Sequence, residues 1–139
     1  MPRLDGTILT PRGFLTGALE IAGGRIARVG GEPIATARVR DSGLPIVLPG
    51  FVDLHVHGGG GRDIMEGGDA ALRVAEVHAE HGTTSLLATT MTAPERDLDR
   101  AFEGLGPLLR ERRPGTARVL GVHLEGPYIN PGQLGAQPD

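Results

Sequence analysis

The sequence contains no cysteine, which excludes disulfides, thiolate metal sites and thiol nucleophiles. All 14 basic residues are arginine and none is lysine, which excludes Schiff-base chemistry and any phosphate loop that depends on lysine. No apolar run approaches the roughly 20 residues of a membrane span. The first residues, Met1-Pro2-Arg3-Leu4-Asp5-Gly6, lack the apolar stretch of a signal peptide, so a soluble cytoplasmic protein is the expectation. Positive charge is nowhere concentrated: 14 arginines face 17 acidic residues, for a net charge of -3, and nucleic acid is not an expected partner. There is no three-residue glycine period, so collagen is excluded. What is present is a strong core-forming fraction, with 36 of 139 residues Leu, Ile, Val or Phe, enough to fold rather than remain disordered. Twenty-three glycines and 11 prolines indicate many tight turns between short elements. A length of 139 residues suits one domain of ordinary size or a piece of something larger.

Residues 1–48 read as a small β layer. Ala18-Leu19-Glu20-Ile21 and Arg25-Ile26-Ala27-Arg28-Val29 flank Gly23-Gly24 in the manner of a hairpin. Gly30-Gly31-Glu32-Pro33 and Asp41-Ser42-Gly43 read as further turns, and Leu44–Leu48 as another strand. From Pro49 the texture changes to β-like runs alternating with amphipathic segments. Strands are expected over Phe51–Val56, Thr83–Thr89 and Ala117–Val122. Asp69–His81 reads as a helix with Leu72, Ala75 and Ala79 on its apolar face, ended by Gly82. A second helix is expected from a capping box of Thr92 and Glu95, with a stripe of Leu98, Ala101, Phe102, Leu105 and Leu109. Gly104, Gly106 and Pro107 predict a kink or break before Pro114-Gly115 ends it. The three strands start at 51, 83 and 117, the spacing of βα units with crossover connections, so a parallel α/β sheet follows. Such sheets are doubly wound or close into an eight-stranded barrel, and the chain holds under half of the latter's roughly 250 residues.

Chemistry concentrates at strand ends. Asp53-Leu54-His55-Val56-His57 precedes Gly58-Gly59-Gly60-Gly61. Residues two apart on a strand share a face, about 6 to 7 Å apart at Cα, so the two imidazoles can converge on one metal ion. The third strand ends in His123-Leu124-Glu125-Gly126-Pro127-Tyr128, and by the same period His123 and Glu125 share a face at what is again a C-terminal edge. A carboxylate there can bind a divalent ion or act as a base. The glycine run could cradle a phosphate, but no Lys, Ser or Thr follows it and no helix opens directly from it. A loop that needs positive φ and close approach to the site is the simpler reading. His78 and His81 are simplest as helix-end residues favoured by the dipole, and Arg110, Arg112 and Arg113 as a solvated helix end.

Pro49-Gly50-Phe51-Val52-Asp53-Leu54-His55-Val56-His57-Gly58, Gly82-Thr83-Thr84-Ser85-Leu86-Leu87-Ala88-Thr89-Thr90, His123-Leu124-Glu125-Gly126-Pro127-Tyr128 and Gly135-Ala136-Gln137-Pro138 together resemble the N-acetylglucosamine-6-phosphate deacetylases of the amidohydrolase superfamily. The resemblance covers roughly residues 44–139. It implies a metal-dependent (β/α)8 TIM barrel with a small β-sandwich domain, so that residues 1–48 would be part of the sandwich and 49–139 the first three βα units of the barrel. It implies Glu125, His55 and His57 as metal ligands for one or two divalent ions, zinc or iron. His123 and Asp53 would support the ligands without coordinating. Ala136 and Gln137 would contact the sugar phosphate, the substrate being N-acetylglucosamine 6-phosphate. The proton-transferring Asp and two further His ligands of the family would lie beyond Asp139, so the chain is expected to be an N-terminal portion, inactive alone, of an enzyme that is a homodimer when complete.

Three other readings stay open on the residues. The His-x-His strand is shared by amidohydrolases acting on cyclic amides, unpaired parallel strands suit a non-catalytic fragment that self-associates, and the donor set alone suits a metal-binding module.

Overall fold

The computed structural model describes residues 2–138, which divide into two compact units between Pro49 and Gly50. The fold is mixed α/β.

The first unit is built on a four-stranded sheet. Its strands are β1 (Arg3–Thr10), β2 (Gly13–Ala22), β3 (Arg25–Ile34) and β4 (Ile46–Val47), in the order β3-β2-β1-β4. A single turn of helix, α1 (Thr36–Val39), precedes β4. The pairs β1–β2 and β2–β3 are antiparallel, and the short β1–β4 pair is parallel. Gly23 and Gly24, at φ 57° and 72°, form the turn that the sequence predicts there, because two consecutive positive φ angles match the twist of a two-residue hairpin.

Gly30-Gly31 is not a turn: both residues lie inside β3, and Gly31 pairs with Gly17 of β2. A side chain on Gly17 would run into the Gly30 carbonyl and the Gly31 backbone, so these glycines serve close approach of two strands rather than reversal of the chain. Gly17→Ala is therefore expected to destabilise the β2–β3 pair by about 1–3 kcal/mol, as overpacking does. Hydrogen exchange of the β2 and β3 amides reads this directly, and unchanged protection would contradict it.

The second unit contains a three-stranded parallel sheet of β5 (Phe51–Val56), β8 (Thr83–Thr89) and β9 (Arg118–His123), in the order β5-β8-β9. A two-residue ladder of β6 (Gly58–Gly59) and β7 (Arg62–Asp63) follows β5. The connections carry α2 (Ala70–Glu80) and α3 (Glu95–Arg110). Val74 of α2, Leu86 of β8 and Leu105 of α3 are fully buried and centre the core, with Val56, Ile64, Ala88 and Val119 around them. Among the described residues no helix is long and apolar enough to cross a membrane.

Both helices bury faces slightly rotated from those expected. In α2 the buried residues are Ala70, Ala71, Val74 and Ala75, while Leu72 and Ala79 pack at the margin. In α3 they are Leu98, Ala101, Leu105 and Leu108, the i, i+3, i+7, i+10 series, which leaves Phe102 and Leu109 exposed. The expected Thr92 capping box does not form. Pro94 takes the N-cap position, its carbonyl accepts from the Asp97 and Leu98 amides, and the Thr92 amide donates instead to Gln137. The expected break at Gly104–Pro107 is also absent. Pro107 lies in the last turn, where it removes a single helical donor. Gly104 lies against the Gly67-Gly68 turn so closely that a side chain would collide with its backbone.

Candidate metal centre

Because β5, β8 and β9 are parallel, their C-terminal ends lie along one edge of the sheet, and the residues just past them are gathered there. His55 and His57 come from the end of β5, and Glu125 follows β9 by two residues. Their side chains converge. The Nε2 atoms of His55 and His57 are 3.1 Å apart. Glu125 Oε1 is 3.4 Å from His55 Nε2, and Glu125 Oε2 is 3.5 Å from His57 Nε2. Ligands about 2.0–2.2 Å from a tetrahedral zinc ion are about 3.3–3.6 Å from one another. The two nitrogens stand slightly closer than that and each faces a different carboxylate oxygen, while one ligand atom from each residue lies within 4.8 Å of the others. The group therefore suits a divalent ion in donor chemistry and needs only small adjustments in spacing.

The surroundings hold these donors in place. Asp53 Oδ1 accepts the backbone N–H of His55 at 3.1 Å, where the β5–β8 register shifts. The ring of His123 meets that of His55 edge to face, with centroids 4.9 Å apart. His123 is outside the converging donor group. The Nδ1 atoms of His57 and His123 are buried without a hydrogen-bond partner among the described residues. Gln137 reaches back to this point: its Nε2 donates to Glu125 Oε2, and its Oε1 accepts the Thr92 N–H at 2.7 Å. Ala136 and Gln137 line the same open pocket, of about 670 Å³, as His55, His57 and Glu125.

The four glycines form a tight hairpin. Gly58 and Gly59 pair with Asp63 and Arg62, and Gly60 and Gly61 turn at φ 61° and 77°. Two of the four are thus committed to a ladder, and the other two supply the positive φ that a side chain would strain. His78 is placed by a specific contact, since its Nε2 lies 3.1 Å from the Gly58 carbonyl and so ties α2 to the hairpin. After the hairpin, Asp63 and Glu66 cap a short 3-10 turn reciprocally. Hydrogen bonding from the Arg62 guanidinium holds the Glu66 carboxyl below its ordinary range. Asp63 also lines the pocket, which no motif indicated.

Thr89 and Thr90 close the run from Gly82 that carries part of the resemblance, but no role attached to them from sequence; both are fully buried at the end of the central strand. Two hydroxyls in succession where an apolar strand ends could have drawn attention to them.

No family model matches the chain. It is 38% identical over 133 residues to an N-acetylgalactosamine-6-phosphate deacetylase of Escherichia coli O157:H7, covering 94% of this chain and 34% of that protein. It is 41% identical over 93 residues to an N-acetylglucosamine-6-phosphate deacetylase of Lysinibacillus sphaericus, covering 66% of this chain and 24% of that protein. The crystal structure of an N-acetylglucosamine-6-phosphate deacetylase from Thermotoga maritima superposes with a TM-score of 0.78 at 31% identity, covering 99% of this chain and 35% of that one. The chain thus spans about a quarter to a third of the length of the relatives it matches. Over that span it is similar, in sequence and in fold, to the N-terminal part of the N-acetylglucosamine-6-phosphate deacetylases.

Proposed function

We propose that the chain carries the N-terminal part of a metal-dependent deacetylase that cleaves the N-acetyl group of N-acetylglucosamine 6-phosphate, with water, to acetate and glucosamine 6-phosphate. The observation that carries this reading is the convergence of His55, His57 and Glu125 at the strand ends, in a chain similar to proteins bearing that name. Residues 49–139 would supply the first three βα units of a (β/α)8 barrel, and 1–48 part of a β-sandwich.

In this reading His55, His57 and Glu125 hold one divalent ion, zinc or iron, or share in holding two. When bound, the ion supplies Lewis acidity to the amide carbonyl. Gln137, bonded to both Glu125 and the Thr92 backbone, restrains the carboxylate from the side on which Ala136 lines the pocket. Asp53 holds the His55 backbone, and His123 fixes the face of the His55 ring. Ala136 and Gln137 are where the sugar phosphate would lie. The acid that protonates the leaving amine is not among these residues and would come from a later strand of the longer protein. A charged sugar phosphate does not leave a cell unaided, which suits a cytoplasmic location. A homodimer of the longer protein belongs to the same proposal and is read by sedimentation.

Acetate release from N-acetylglucosamine 6-phosphate with added zinc tests the reading, on this chain beside a longer product of the same gene. Release by the longer protein alone is the expected result. One relative is named for the galactosamine substrate, so that epimer belongs in the same assay. Release from it alone would replace the substrate and keep the reaction, whereas no release from either would overturn the reading.

A further inference from the structure

We propose that the hydroxyls of Thr89 and Thr90 are the positioning groups that set the separation between the histidine pair and Glu125. The two ligand-bearing strands do not pair with each other, because β8 lies between them. The distance from His55 and His57 to Glu125 is therefore decided by how each flanking segment is fastened to the end of β8.

Each is fastened by one of these threonines. Thr89 Oγ1 accepts the N–H of Val56 at 2.9 Å. Val56 stands between the two histidines in the chain, at a point where the β5–β8 register has just shifted. The hydroxyl takes the amide that an interrupted ladder leaves over. Thr90 binds the other flank twice: its N–H donates to the His123 carbonyl at 3.0 Å, and its Oγ1 accepts the Glu125 N–H at 3.2 Å. The first bond continues the β8–β9 ladder by one residue, and the second extends the fastening past the end of β9 to the ligand itself.

Burial makes these bonds consequential. Both threonines are 0% exposed and Val56 is 3% exposed, so the Val56 amide carries the whole desolvation penalty if it loses its acceptor, whereas the partly buried Glu125 amide carries only part of it. Valine has nearly the shape of threonine and lacks the hydroxyl, so it leaves the packing and frees the amide. The donor atoms at the centre stand only 3.1 to 3.5 Å apart, and a displacement of either segment of about 1 Å is enough to spoil such a constellation. Two adjacent residues, the last of β8 and the one just past it, thus act on both sides of the centre without being among its donors.

The inference rests on the reading that His55, His57 and Glu125 hold a divalent ion, and the experiment separates the two. Zinc affinity of the 139-residue chain is measured by chelator competition, and cobalt substitution gives a visible spectrum of the donor geometry. Thr89→Val and Thr90→Val are expected to weaken zinc by about 10- to 100-fold, the range for groups that orient ligands, and to shift the cobalt bands. Thr90→Ser keeps the hydroxyl and is expected to restore both. Thr116→Val removes a buried hydroxyl that bonds the Arg113 carbonyl just ahead of β9, and is expected to lower the melting temperature without altering affinity. Should Thr90→Val not fold, Thr90→Ala takes its place in the comparison with serine. Wild-type affinity in the folded valine or alanine variants, or a serine variant as weak as they are, overturns the positioning role alone. Failure of both the unsubstituted chain and a longer product of the same gene, which would add the further His ligands, to bind zinc or cobalt overturns the metal reading and the positioning role with it.

Discussion

Glu125→Ala is expected to abolish zinc binding by the chain, a larger loss than the roughly 10- to 100-fold that follows removal of a merely supporting group. Glu125 is the only anionic member of the converging donor group, and without it two neutral imidazoles remain, one fewer protein ligand than catalytic zinc sites use. Glu125→Gln separates charge from shape. An amide oxygen in the same place is a much poorer donor for a divalent ion than a carboxylate, so affinity is expected to remain far below wild type. A surface carboxylate provides the control: Glu76 pairs with Arg73 on α2, and Glu76→Ala is expected to bind zinc normally. Chelator competition with metal analysis of the isolated protein reads all three. Undiminished affinity in Glu125→Ala would remove this carboxylate from the centre.

The largest expected effect on stability is that of Leu105→Ala. Leu105 is 0% exposed on α3 and belongs to the core around Leu86 and Val74. Truncating a buried leucine costs about 2–5 kcal/mol, part transfer and part cavity, against a total of about 5–15 kcal/mol for a typical domain. The second unit should then be marginal or unfolded. Phe102 and Leu109 lie on the same helix but are 38% and 41% exposed, and their replacement by alanine should cost well under half as much. Urea denaturation followed through the amides of β8 and α3 measures the difference. Comparable losses at Leu105 and Phe102 would mean that α3 buries a different face.

That comparison touches the limit of what could be read from the chain alone. Phe102 and Leu109 are apolar at helical spacing, and nothing local distinguishes them from Leu105 and Leu108; only the sheet decides which side of α3 is inside. Gly30-Gly31 misled for a related reason. A glycine pair has the same composition whether it reverses the chain or lets a neighbouring strand come close, and Gly17, opposite Gly31, is 14 residues away in sequence. Thr92 followed by Glu95 has the form of a capping box, yet the Thr92 amide is taken by Gln137, a partner 45 residues distant. The strands β5, β8 and β9 were legible because each is an apolar run bounded by glycine or proline at βα spacing. His55, His57 and Glu125 were legible as candidates because a two-residue period past the end of a parallel strand leaves few other directions for them. Asp63 carried no such signature, and Thr89 and Thr90, though they close the motif run from Gly82, carried no role, since an acid in a capping turn or a hydroxyl at a strand end is common and acquires its use only from the neighbours it meets.

The order β5-β8-β9 also has a kinetic meaning. His57 and Glu125 are separated by 68 positions in the chain, and neither strand can find the other except across β8. Two crossover connections must close before the donors meet, and each closure carries an entropic cost that local contacts do not repay. In refolding, capture of zinc should therefore lag the formation of α2 and α3 and coincide with completion of the sheet. An ion that arrives in that order serves as a clock for the fold, its uptake marking the moment at which the last strand is seated.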